Sequence, residues 1–159
     1  MTVAEAATLS PAAERLRDRI SESPVASRAS VADGDLPTVT VAPQDWLELA
    51  RFLRDDPGCQ YDLFLDLCGV DNLRRRGSRE RFEVVVHLHS LERNNHIRVR
   101  IPLPEEGAPS LPSVEGIWPA ANWFEREAFD LFGIAFPGHP NLHRILCHDA
   151  FVGHALRKD

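Results

Sequence analysis

Arg81-Phe82-Glu83-Val84-Val85-Val86-His87-Leu88-His89-Ser90-Leu91, then Glu92-Arg93-Asn94-Asn95, then His96-Ile97-Arg98-Val99-Arg100-Ile101-Pro102, reads as two strands joined by a turn. Phe82, Val84, Val86 and Leu88 fall on one face of the first strand. Ile97, Val99 and Ile101 fall on one face of the second. That period of two marks strands with one buried side. The four residues 92–95 make the hairpin turn. Pairing Leu91 with His96 sets Leu88 against Val99 and Val86 against Ile101, so the apolar faces coincide.

Working outward, Thr38–Val41 is a short β-prone run. Asp62–Val70 is a nearly continuous apolar run, with Leu63, Leu65 and Leu67 on one face and Phe64, Asp66 and Cys68 on the other. A run apolar on both faces predicts a central strand. Asp66 is then a buried, structural carboxylate that needs a hydrogen-bonding or basic partner. Helical signals alternate with these strands. Ser10-Pro11 reads as a cap and first helical residue, and Leu16 and Ile20 supply a thin stripe over 11–22. Ser23–Gly34 reads as a linker. Pro43 opens a second helix, in which Trp46, Leu49, Ala50 and Leu53 share a face and which Pro57-Gly58 ends. Pro102, Pro104, Pro109 and Pro112 punctuate a stiff extended loop, after which Ser113 caps a single turn. A third helix runs from about Pro119 to Phe132. Asn122 and Glu125 in it have capping-box spacing, and Gly133 is placed to stop it. Residues 134–159 show no period and are too long for an ordinary loop, so they are expected to drape over something. The chain thus divides into an extension (1–36), a compact α+β domain (37–133) and an extended C-terminal docking segment (134–159).

Composition narrows the function. The chain has 159 residues, 43% apolar and 26% charged, with 18 Lys plus Arg against 24 Asp plus Glu, a net charge of −6. That suits one soluble domain and argues against a general nucleic-acid binder. No apolar run approaches the ~18 residues of a membrane span. Residues 1–36 lack the apolar core of a secretory signal, and Glu5, Glu14, Asp18 and Glu22 argue against a transit peptide. Cys59, Cys68 and Cys147 are scattered, with no Cys-x-x-Cys pair. A disulfide framework and a thiolate iron–sulfur site are therefore not indicated, and a reducing compartment fits.

Three groups of residues carry chemical potential. His87 and His89 share a strand face at metal-ligand spacing, but Arg98 and Arg100 stand opposite and would repel a dication; a polar sheet face is the plainer reading. His139, His143, His148 and His154 crowd the C-terminal segment. Pro140 stands where a zincin motif needs Glu, so hydrogen-bonded loop histidines weigh against a metal or catalytic site there. On the last helix, Arg126 and Asp130 are four apart, and Glu127 and Asp130 three apart. These acids suit an acid–base pair if burial separates their pKa values, or a solvated face with one salt bridge. Phosphate-cradling glycine loops and the Gly-x-Ser-x-Gly elbow are absent.

From Pro102 onward the order of motifs is specific: Pro104-Glu105-Glu106, Leu111-Pro112-Ser113-Val114, Trp118-Pro119-Ala120-Ala121-Asn122-Trp123, Glu125-Arg126-Glu127-Ala128-Phe129-Asp130-Leu131-Phe132-Gly133-Ile134, Gly138-His139-Pro140, Arg144-Ile145-Leu146 and Gly153-His154-Ala155-Leu156-Arg157-Lys158-Asp159. With the upstream strand Phe64–Asp71, this resembles the thirty-kilodalton subunit of respiratory complex I, the proton-pumping NADH–quinone oxidoreductase, over about residues 40–159. The resemblance implies a two-layer α+β domain with a mixed, largely antiparallel sheet. It implies a hydrophilic-arm subunit with no catalytic site of its own and no bound flavin, iron–sulfur cluster or metal. FMN, the iron–sulfur clusters and quinone then belong to other subunits. The implied partners are the large quinone-site, hydrogenase-large-subunit-like subunit and neighbouring iron–sulfur subunits, on the cytoplasmic side of a bacterial inner membrane. By the same resemblance Glu125, Arg126, Glu127, Asp130, His139, Arg144, Arg157 and Lys158 are assembly residues. Acidic helix residues and basic residues of the segment are expected to hold each other. Family members usually continue past the Leu-Arg-Lys-Asp motif with Tyr/Phe-Pro and a long tail, and Pro is common at position 155. The ending here at Asp159 keeps an equivalent subunit of a related nickel–iron hydrogenase or formate-hydrogenlyase complex as the alternative.

Overall fold

The computed structural model describes residues 9–75, 77, 80–104 and 107–159. Glu5 and the Glu105-Glu106 pair lie outside the described residues. The elements are α1 (Pro11–Ser21), β1 (Ala29–Ala32), β2 (Thr38–Val41), a 3-10 turn (Pro43–Asp45), α2 (Trp46–Asp55), β3 (Leu63–Asp71), β4 (Phe82–Ser90), β5 (Asn95–Leu103) and α3 (Ala121–Phe132). The five strands form one mixed sheet in the order β1-β2-β5-β4-β3. β2 runs parallel to β5, and the other pairs are antiparallel.

One face of this sheet is the core. Val39, Val41, Leu67, Val84, Val86, Leu88, Ile97, Val99 and Ile101 pack there with Leu16 and Ile20 of α1, the α2 stripe Trp46, Leu49, Ala50 and Leu53, and Ala128 of α3. Removing this apolar surface from water is the main stabilising term, at roughly 25 cal/mol per Å². Trp118 joins the core beside Trp46, with ring centroids 6.5 Å apart. Its indole N–H is satisfied by donating to the Tyr61 carbonyl at 3.0 Å. The alternate residues Val85, His87, His89, Arg98 and Arg100 lie half-buried on the opposite face.

Four expectations need correction. β3 is an edge strand, not a central one. Its two-faced apolar signal comes from α3 packing along it and from a bulge between Phe64 and Asp66. The bulge buries Phe64 and Leu67 together and turns Leu63 and Cys68 outward. Second, the supposed linker contains β1, a four-residue strand too short and too weakly apolar to show a period. Third, the β4–β5 register differs by two residues: Leu88 faces Ile97, Val86 faces Val99, and Ser90 faces Asn95. The turn is therefore Leu91–Asn94, closed by Asn94 at φ 46°, a left-handed conformation that Asn tolerates. A two-residue slip preserves the facing of every side chain, which is why the apolar pattern could not detect it. Fourth, the capping box does not form. The α3 cap is Ala120 with no side-chain bond, because Glu125 is turned to Ser113 instead.

Ser10 does cap α1, accepting from the Ala13 N–H at 3.3 Å. The proline loop is stitched in parallel to the chain leaving α3. Ala135 N–H donates to Pro109 O, Leu111 N–H to Ala135 O and Ser113 N–H to Pro137 O, each at 2.9 Å. The C-terminal segment therefore starts from a fixed platform.

Candidate functional site

Asp130 is the centre of the constellation. Its carboxylate is fully buried in the last turn of α3. Oδ2 accepts the consecutive backbone N–H groups of Ile145, Leu146 and Cys147 at 3.1, 2.8 and 2.9 Å, and Oδ1 accepts from Arg144 Nη1 at 3.0 Å. Burial alone would raise this carboxyl, but the three amide donors outweigh it and hold the pKa at about 2. The group is a permanent anion, and the chain from Arg144 to Cys147 is folded around it as a nest.

The end of the segment caps the same helix. The terminal α3 carbonyls have no partners within the helix. His154 Nδ1 donates to Asp130 O at 3.0 Å and Arg157 Nε to Phe132 O at 2.7 Å. The Leu156 N–H donates to Leu131 O at 3.0 Å. Gly133, at φ 71°, is what lets His154 and Arg157 approach. Beyond it, the Lys158 N–H donates to the buried Asp71 at 2.9 Å. Asp71 also pairs with Arg81, which reaches Asp159 at 2.7 Å. The Arg81 and Arg157 guanidinium groups both lie over the Phe82 ring, 4.7 and 5.0 Å from its centroid.

The middle of the segment is held by Arg126. It donates through Nε to His143 O at 3.2 Å and through Nη2 to His143 Nε2 at 2.6 Å. A guanidinium can only donate, so His143 carries its proton on Nδ1, facing Asn141. The Asn141 N–H in turn donates to His139 Nδ1, leaving His139 Nε2–H to donate to Asn122 O at 3.2 Å. The Arg126 cation sits 4.9 Å from the centroid of the Trp123 ring.

Glu125 secures the proline loop. It is fully buried and accepts from the Ser113 hydroxyl at 2.6 Å and the Val114 N–H at 2.8 Å. Both partners are neutral, and burial pushes its carboxyl up to about 7. A carboxyl raised on folding stabilises fully below its unfolded pKa and loses that contribution as pH climbs through the folded one. Wild-type protein should therefore lose on the order of 2 kcal/mol from this group between pH 5 and pH 8, and Glu125→Gln should remove that part of the slope. Urea unfolding of both proteins at the two pH values checks this, and equal slopes would refute it.

The anticipated residues thus separate. Asp130 and Arg144 come together, as expected of a helix acid and a basic residue of the segment. Arg126 does not pair with Asp130, since each has its own partner in the segment. Glu127 is exposed, with no side-chain hydrogen bond or ion pair among the described residues. Lys158 contributes its backbone, with its side chain exposed. Asp66 is partnered by His87 Nδ1 at 2.7 Å but is 40% exposed. The buried carboxylate of β3 is Asp71, five residues on. Its sequence signal is its place at the strand end opposite the Arg81-Phe82 start of β4. His87 uses its other nitrogen to accept from Arg98 Nε. Among the described residues no group of three His, Cys, Asp or Glu side chains is placed to hold a metal.

The arrangement fixes a segment with no regular structure onto α3 and leaves apolar residues facing out. Trp123 and Leu146 are each 63% exposed and Val152 is 94% exposed, with Phe151 and Leu156 beside them in sequence also exposed. No described helix is long and apolar enough to cross a membrane.

Comparison with known proteins bears on this geometry. The family model described as respiratory-chain NADH dehydrogenase, 30 Kd subunit, matches residues 39–159. An NADH-quinone oxidoreductase subunit of Azorhizobium caulinodans is 52% identical over 129 residues, covering 81% of this chain and 58% of that protein. Its namesake from Verminephrobacter eiseniae is 44% identical over 150 residues, covering 92% and 74%. Against several such relatives the chain spans between half and two thirds of their length. A solved trypsin-resistant fragment of Nqo5 is 34% identical with TM-score 0.67, covering 80% of this chain and 99% of the fragment. An archaeal membrane-bound sulfane sulfur reductase complex holds a chain with TM-score 0.67 at 23% identity, covering 86% of this chain and 76% of that one, a likeness of fold.

Proposed function

The chain belongs to the family of the 30 kDa subunit of respiratory-chain NADH dehydrogenase, and from that premise we propose that it acts as a docking subunit of a complex-I-type assembly. Its partner in this reading is the large quinone-site subunit, with neighbouring iron–sulfur subunits alongside, on the cytoplasmic side of the membrane. Its contribution is contact. The FMN, iron–sulfur clusters and quinone of electron transfer reside in other subunits.

The observation that carries the reading is the fixed C-terminal segment. Five large apolar residues stand exposed on α3 and this segment, while Asp130, Arg126 and the His154/Arg157 cap hold the backbone beneath them. Exposed aromatic and apolar side chains on a rigid frame are what protein interfaces use as anchors. A segment ordered beforehand also loses less entropy on docking.

Arg144→Ala tests it. The change removes the part-exposed cation from the buried Asp130 carboxylate and one support of the Gly153 carbonyl. Breaking such a pair costs up to roughly 3–5 kcal/mol. The amount of assembled complex should fall several-fold, while turnover per assembled complex stays near normal. Intact assembly with collapsed turnover would make this residue a catalytic or coupling group and overturn the reading.

A further inference from the structure

The sheet face turned away from the helices sinks into a cavity of about 390 Å³, floored by Val70 and Val85 and walled by Arg75, Arg98 and Arg100. The three guanidinium groups come from three places, the β3–β4 loop and two positions on β5. Two are already oriented by this chain. Arg98 is held by Asp35 through two bonds of 2.9 and 2.8 Å and by His87 at 3.1 Å. Arg100 is held by Glu83 through Nε and Nη2, which leaves its Nη1 unassigned. Arg75 is exposed, and its guanidinium has no ion pair or hydrogen bond among the described residues. The remaining acid at the rim, Asp33, is turned onto the start of α1, where Ser10 donates to it through both its N–H and its hydroxyl.

The sequence around Arg75 departs from the rest of the chain. Positions 74, 75, 76, 79 and 81 are all arginine and Glu80 is the one acid within that run, in a chain of net charge −6; Arg81 is the member paired elsewhere, with Asp71 and Asp159. Neither the core nor the α3 constellation uses Arg75.

We propose that this uncovered sheet face is a second docking surface, which takes a carboxylate-bearing segment of a partner protein with its acidic side chain seated between Arg75 and the Arg98–Arg100 pair. The proposal rests on the reading of the chain as an assembly subunit and assigns that subunit a second face with different chemistry. Planar guanidinium groups with open N–H donors match a carboxylate in a two-pronged geometry. Arg98 and Arg100 enter the contact already oriented, so little side-chain freedom is lost there. An extended polyanion fits less well. An anionic membrane or a nucleic acid meets the net negative charge of the whole chain, whereas a short acidic segment is recognised within the ~8 Å over which charges act at physiological salt. Val85 and the half-buried His87 and His89 supply a flat surface for the backbone that carries the acid.

A photo-reactive benzoylphenylalanine in place of Ala32, exposed at the rim of the cavity, tests this in the complex purified intact around the full chain. The expected cross-link joins a partner subunit at a segment carrying Asp or Glu. Arg75→Glu should cut its yield about tenfold, and Arg75→Lys should retain part of it. Changing the cross-linked partner's acid to Lys should restore the yield in the Arg75→Glu background. Thermal unfolding of the isolated Arg75→Glu chain should match wild type, since Arg75 supports nothing else. A cross-link to lipid, to nucleic acid or to a segment without acids, no cross-link, or a yield unaffected by Arg75→Glu would overturn the proposal and leave the docking role standing. A chain recovered with no other subunit would overturn both.

Discussion

Asp130→Ala should detach the C-terminal segment from α3 while the sheet stays folded. The substitution removes four hydrogen bonds at once and leaves the Arg144 cation and three amide groups facing an apolar methyl. Breaking an ion pair whose carboxylate is fully buried and whose cation is part-exposed costs up to roughly 3–5 kcal/mol, against a total stability of about 5–15 kcal/mol for a domain. α3 keeps its own anchorage in the core on the helical face of the sheet, through buried Ala121 and Ala128 and through Phe124, Phe129 and Phe132 packed against it, with Leu111, Val114, Ile117, Trp118, Ile134 and Phe136 around them. The loss therefore concentrates in residues 142–159. Limited proteolysis should show cleavage there accelerated tenfold or more, with protection of residues 37–133 largely kept. Asp130→Asn should be milder, since one amide oxygen still accepts from the nest. Its deficit should also fade in acid. The Asp130 carboxyl is depressed on folding, so its stabilisation is complete above the ordinary carboxylate range and is lost as pH falls through about 2. Unchanged proteolysis of Asp130→Ala would mean that the nest does not hold the segment.

How far such a segment is visible in a sequence depends on what encodes it. The hairpin was legible because alternation reports burial on one side, and α2 because Trp46, Leu49, Ala50 and Leu53 repeat at helical spacing. The edge position of β3 was not, because an apolar run reports that both faces are covered, without saying whether a strand or a helix covers them. β1 was hidden for the opposite reason. Ala29–Ala32 owes its place to pairing with β2 and not to its own side chains. At the site, charge pattern alone could suggest that an α3 acid meets a basic residue of the segment. It could not tell Asp130, with Arg144, from Glu125, which turns to the neutral Ser113. The nest is built from backbone N–H groups, which every residue but proline possesses, so no side-chain motif announces it. Residues 1–36, read as an extension, contribute Leu16, Ile20 and Val25 to the shared core, a role that a thin stripe does not reveal.

Gly133→Ala should unseat the end of the segment more than a single methyl would suggest. Gly133 has φ 71° and ψ 27°, and an L-residue there loses roughly 1–2 kcal/mol. The added Cβ would also stand 2.4 Å from His154 Nε2 and 2.5 Å from Arg157 Nη2. A free side-chain tip would swing aside at little cost, but neither of these is free. His154 is bonded to Asp130 O and Arg157 to Phe132 O. Relieving the clash therefore uncaps two α3 carbonyls and loosens the backbone that places the Lys158 N–H on Asp71. The total should reach about 3 kcal/mol, with each lost bond contributing about 1 kcal/mol to the strain already present. The two contributions separate in a double-mutant cycle. In a His154→Ala/Arg157→Ala background the atoms nearest the added Cβ are gone, and Gly133→Ala should then cost little beyond the backbone strain. Equal costs in both backgrounds, measured by urea unfolding, would show that Gly133 serves its own conformation alone and that the cap does not depend on it.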